Sequence, residues 1–205
     1  MLQILRLLQA LVYRQISMCV VFLFWYNRFM DKNTVLTKED LIKLAEDYTK
    51  DGNSIDVVKL ANNLGIKVFE YPFGEGVSGA VQKNDNGEIS IYISNQDSVE
   101  RQRFSIAHEL AHAVLHKDLV DSKKIVNRSK NDSSNVEIEA NKLAEEILMP
   151  EKSLNRFIKE EGLNKNAEIS STIIQKIAEA FKVSKMVAII RLRNLNYNVP
   201  YISYA

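Results

Sequence analysis

The sequence predicts an α+β protein, mainly helical, with a small antiparallel sheet near its middle and a helix-turn-helix-like unit at its C-terminal end. Three observations carry that prediction. Apolar residues recur at helical spacing up to Gly65, alternate with polar ones between Ile66 and Ser94, and return to helical spacing from Val99 onward. The composition, 46% hydrophobic and 26% charged over 205 residues, suits a chain that buries a core without disulfides or a structural metal. The 27 Lys plus Arg against 26 Asp plus Glu leave a net charge of +1, which excludes a whole-molecule field drawing the protein to nucleic acid or anionic lipid. The single Cys19 excludes an intramolecular disulfide and any zinc site built from several thiolates, and points to a reducing compartment, the cytoplasm.

Residues 1–30 differ from the rest. They carry Arg6, Arg14 and Arg28 and no acid, so +3 sits there and −2 on residues 31–205. Their longest uncharged stretch, Gln15 to Asn27, is 13 residues, short of the roughly 20 that a membrane-spanning helix needs. No small-x-small cleavage site follows Phe24, Trp25 and Tyr26. The segment reads as a basic apolar extension with two explanations: a membrane anchor, or residues upstream of a start at Met30.

Thr37 before Lys38, Glu39 and Asp40 is an N-cap with acids in the first turn, and Leu41, Leu44, Ala45 and Tyr48 follow at helical spacing, which predicts a helix over about 38–50. Ile55 to Leu64 predicts a second, shorter helix with Gly65 where a C-terminal glycine belongs. Ile66 to Phe69, Val77 to Gln82 and Glu88 to Ser94 read as three strands, with Asn86-Gly87 as a tight turn. Residues 117–135 are polar and read as a long loop between two helices.

All three histidines fall in one run: His108, His112 and His116. His108-Glu109-Leu110-Ala111-His112 is an H-E-x-x-H pattern. Four residues at about 100° each bring both imidazoles to one helix face, about 6 Å apart along the axis, where they can share one zinc ion. Glu109 then lies beside the metal, placed to take a proton from a bound water. The flanking Ile106, Ala107, Leu110, Ala113 and Val114 are uncharged, as expected of a helix that carries its site in an apolar interior. His116 lies eight residues from His108, about 12 Å along a straight helix, too far to join both on one ion. It reads as a packing or supporting residue, and the third ligand comes from elsewhere.

The next helical pattern, Asn135 to Met149, supplies candidates. Val136, Ala140, Leu143, Ala144 and Ile147 form its apolar stripe. On a wheel centred there Glu145 points to the opposite, solvated side, and Glu137, Glu139 and Glu146 lie on the margins. Periodicity does not choose among those three, and surface charge is the preferred reading of Glu137 and Glu146.

At these residues the chain resembles the ImmA/IrrE metallopeptidases. The resemblance runs from about Ile55 to Leu195 and includes Ser78-Gly79-Ala80, the segment Arg101 to His112, and Glu139-Ala140-Asn141 leading to Met149-Pro150. It implies a zincin-like domain in which His108, His112 and Glu139 bind Zn2+ with water in the open fourth position and Glu109 is the catalytic base. It also implies a site-specific endopeptidase whose substrate is a helix-turn-helix repressor of a phage or mobile element, cleaved to derepress its genes. Tyr92, His116, Arg101 and Arg103 all remain candidates for stabilising the oxyanion.

Ile174 to Ser184 followed by Ala188, Ile189, Leu192 and Leu195 resembles a helix-turn-helix. Lys165 to Arg193 carries six basic and two acidic residues, a modest excess for a phosphate-binding stripe, so a packing or docking role is preferred to direct DNA binding. The expected organisation is the extension over 1–30, the metallopeptidase domain over 31–160, and the helical unit over 161–205 packed on it. The competing function is a non-catalytic regulator that binds a repressor or DNA through that unit.

Overall fold

A computed structural model of the chain describes residues 36–49, 52–117, 120 and 135–200. The readings made for residues 1–30, and nearly all of the polar stretch 117–135, lie outside the described residues. Seven helices and three strands occur among the described residues: α1 (Lys38–Tyr48), α2 (Val57–Asn63), β1 (Lys67–Tyr71), β2 (Gly79–Lys83), β3 (Ile89–Ser94), α3 (Val99–Leu115), α4 (Asn135–Leu148), α5 (Glu151–Glu160), α6 (Ser171–Phe181) and α7 (Lys185–Asn194).

The local signals behave as their chemistry requires. Thr37 and Asp40 close a reciprocal capping box on α1. Asp56, Ser98, Ser170 and Ser184 cap α2, α3, α6 and α7, each side chain accepting from the third backbone N–H of its helix. At the end of α2, Gly65 has φ +73°. The Gly65 and Ile66 amides donate back to the carbonyls of Asn62 and Ala61, which turns the chain directly into β1. The helix α5, which follows Pro150, was not foreseen.

The sheet has the order β1-β3-β2. The hairpin β2–β3 is antiparallel, as Asn86-Gly87 predicts, but β1 pairs with β3 in parallel, so the sheet is mixed and not wholly antiparallel. Alternation identifies strands without ordering them. The chain leaves a gap beside β1 that β3 later fills, and β3 runs in the same direction as β1. Val81, Ile91 and Ile93 are buried on the face toward α3, while Phe69 and Tyr71 are exposed on the other face with Tyr92, which stacks on Phe69 at 5.6 Å.

Helix α3 packs against β2 and β3 and also against α4. From Ser105 to Val114 every residue but His108 is buried. Ala107, Ala111, Ala140 and Ala144, all fully buried, keep the contact surfaces of α3 and α4 free of bulk. Helix α7 lies against α4. Arg191 donates to the Met149 carbonyl at 3.1 Å, and Asn194 donates to Glu145 at 2.8 Å. Glu145 is therefore buried, not solvated: α7 covers the side of α4 that a helical wheel leaves open.

Candidate metal centre

Because α3 is buried on nearly all sides, His108, Glu109 and His112 are held in the interior by the packing of their apolar neighbours. His112 is wholly buried and the His108 side chain is 14% exposed, so the pair has one side toward solvent. His108 stacks on Phe104 with ring centroids 6.2 Å apart. Its Nδ1 is buried without a hydrogen-bond partner among the described residues, so packing orients the ring.

The two Nε2 atoms lie 3.0 Å apart. The third group beside them is Glu137, with Oε2 3.1 Å from His108 Nε2 and Oε1 3.4 Å from His112 Nε2. Two ring nitrogens and a carboxylate at these separations converge on one point. Ligand atoms ~2.05 Å from a tetrahedral ion stand about 3.3 Å from one another. The donor set, two imidazole nitrogens and one carboxylate, is that of a catalytic zinc site with a position left for water or substrate. His108, His112 and Glu137 therefore fit a divalent cation.

Glu139, the residue implied by the sequence resemblance, is elsewhere. Its side chain is 65% exposed and its Oε2 lies 3.2 Å from His116 Nε2. Glu137 and Glu139 are about 200° apart around a helix, so only one can face the His108–His112 pair. The rotation of α4 brings Glu137 there. Glu137, read from sequence as surface charge, is 6% exposed. A signal for it existed: Glu137 stands three and seven residues before Ala140 and Ala144, on the same buried stripe.

Glu109 is 5% exposed and lies on the sheet side of α3. A Cβ at Gly79, the first residue of β2, would come 3.3 Å from Glu109 Cγ and 3.4 Å from Ser105 Cβ. The glycine lets the strand approach the acid closely.

Among the four oxyanion candidates, Arg101 is engaged with Ser78 at 2.9 Å and with Asp97 at 3.5 Å. Arg103 donates to the Lys182 carbonyl at 3.0 Å and to Ser54 Oγ at 3.2 Å, and burial lowers its pKa. Tyr92 lies among Phe69 and Tyr71, on the sheet face away from α3. His116 alone has its ring beside a histidine of the pair, 5.2 Å from that of His112.

The family described as the IrrE N-terminal-like domain, a peptidase family, matches residues 61–193. Metallopeptidase ImmA of Bacillus subtilis (strain 168) is 27% identical over 125 residues, covering 61% of this chain and 72% of that protein. A solved structure of a Mycobacterium tuberculosis transcriptional regulator aligns with a TM-score of 0.49 and 16% identity over 80% of this chain, which spans 49% of that one.

Proposed function

We propose, for a chain that belongs to the ImmA/IrrE family of metallopeptidases, that it is a zinc-dependent, site-specific endopeptidase in which His108, His112 and Glu137 hold the metal and Glu109 is the catalytic base. The observation that supports this most is the convergence of two imidazole nitrogens and one carboxylate within 3.0–3.4 Å, next to a buried glutamate on the same helix. A divalent cation held there supplies a Lewis acid for the scissile carbonyl and for the attacking water. The Glu109 carboxylate takes the proton of that water and returns it to the leaving amine.

The exposed edge of the sheet suits a peptide substrate. In the order β1-β3-β2, β2 has no strand on its outer side among the described residues, and it runs past Glu109 at Gly79. An extended peptide pairing along that edge would bring a backbone carbonyl toward the metal centre.

We take the substrate to be a helix-turn-helix repressor of a mobile element, and the compartment to be the cytoplasm. Among the described residues no helix is long and apolar enough to cross a membrane. For α6 and α7 a packing role is preferred to direct DNA binding. Of the cations in that region, Arg191 is buried against the Met149 carbonyl, and Lys176 pairs with Glu161 at 2.5 Å.

The test is incubation of the purified protein with candidate repressors in the presence of zinc. Wild type yields discrete fragments, and Glu109→Gln binds metal but yields none. A fully active Glu109→Gln protein refutes the role given to Glu109.

A further inference from the structure

We propose that His116 and Glu139 form a positioning pair that holds the first turn of α4 and so keeps Glu137 at the metal centre. The inference rests on the metal-centre reading above and deepens it. Glu137 lies in the first turn of α4, where the backbone N–H groups have no partner within the helix and the helix frays most easily. A ligand there needs a second restraint. His116 is the C-cap of α3, one turn beyond His112, and its side chain is 8% exposed. Its Nε2 lies 3.2 Å from Glu139 Oε2, on the turn of α4 that carries Glu137. A carboxylate only accepts hydrogen bonds, so Nε2 carries the proton and donates.

The geometry of the two contacts makes the pair more than a surface bond. Glu137 and Glu139 leave α4 about 200° apart, and both reach histidines of α3, so the first turn is gripped from two flanks. Packing of Ala140, Leu143, Ala144 and Ile147 fixes the body of α4, and two contacts on opposite flanks hold the first turn, which lies ahead of that buried face. Fraying of that turn alone would carry Glu137 off the His108–His112 pair while the rest of α4 stays packed. The cluster also accounts for the third histidine, which the metal does not need.

Cobalt(II) is the probe, because its visible spectrum reports the geometry of its ligands. Affinity is measured by competition with a chelator in wild type, His116→Ala, Glu139→Ala, Glu139→Gln and Glu137→Gln proteins, with the thermal midpoint of each metal-free protein alongside. Loss of a partner that orients a metal ligand typically costs about 10- to 100-fold in metal affinity. His116→Ala and Glu139→Ala are each expected to weaken cobalt binding by about that factor and to alter its spectrum. Glu139→Ala, at an exposed side chain, should keep the midpoint near that of wild type. Glu139→Gln retains an oxygen that accepts from Nε2, and should stay within a few-fold of wild type. Wild-type affinity and spectrum in both alanine variants overturn the proposal and leave the metal centre standing. Loss of cobalt in Glu139→Gln with retention in Glu137→Gln makes Glu139 itself the ligand and overturns it as well. A wild-type protein that takes up no cobalt removes the metal centre, and the pair's role with it.

Discussion

Replacing Arg191 tests whether the C-terminal helices are an integral part of the fold. The guanidinium is buried, with 6% of the side chain exposed; it donates to the Met149 carbonyl at 3.1 Å and stands 3.9 Å from Glu146. Met149 itself is fully buried, so removing the donor leaves a carbonyl at the C-terminal end of α4 without this partner, a loss of about 1–3 kcal/mol. Breaking a buried ion pair can cost 3–5 kcal/mol, but that larger figure does not apply here. Glu146 keeps Lys38 at 3.1 Å and is not left without a counter-charge. The structure therefore predicts about 1–3 kcal/mol for Arg191→Met, which preserves the apolar stem and isolates the polar loss. At about 2–4 °C per kcal/mol for a chain of this size, the thermal midpoint should fall by about 2–12 °C. Circular dichroism melts of wild type, Arg191→Met and Arg191→Ala provide the assay, the alanine variant falling further by the lost packing. An Arg191→Met protein that melts within a degree of wild type refutes the assignment of the tie between α7 and α4.

Two further predictions follow from particular contacts. Gly79→Val places a branched side chain where even a Cβ comes 3.3 Å from Glu109 Cγ, so peptide cleavage should fall by about 100-fold, as expected for a misplacement near 1 Å, while metal content stays at the wild-type level; equal loss of metal and activity would show that the strand supports the ligands and not the base. Burial raises the Glu145 pKa against the opposing hydrogen bond from Asn194, so the folded state favours the protonated acid, and its contribution to stability is present at low pH and lost as pH rises through the raised pKa. Glu145→Gln keeps an acceptor for Asn194 and should melt above wild type at pH 8, with the gap closing below the carboxylate range; a gap independent of pH would mean that the charge is not what costs stability.

The part of the site held within one helix was legible from sequence, because a helix fixes the spacing of its own residues. His108, Glu109 and His112 needed only 3.6 residues per turn and apolar flanks to be placed in the interior. The third member of the cluster was not legible in the same way. Whether Glu137 or Glu139 faces α3 depends on the rotation of α4, which α1, α3 and α7 set together by packing on it. The burial of Glu145 escaped for the same reason, since the wheel of α4 does not show that α7 covers its far side. In the sheet, alternation marked the three strands and Asn86-Gly87 marked the hairpin, but the parallel pairing of β1 with β3 is a property of strand order, which alternation does not encode. Capping was the most readable layer: Thr37 and Gly65 stand at the helix ends where their chemistry places them.

In the function proposed for this chain, α3 and α4 together build one metal site through His108, His112 and Glu137. Native mass spectrometry of the zinc-loaded protein, with Glu137→Ala and Glu139→Ala variants beside it, tests that most directly. One zinc ion per wild-type chain is expected, none retained by Glu137→Ala, and a weakened but detectable ion in Glu139→Ala. Retention of zinc by Glu137→Ala together with its loss from Glu139→Ala would contradict that assignment, as would a folded wild-type chain that takes up no zinc.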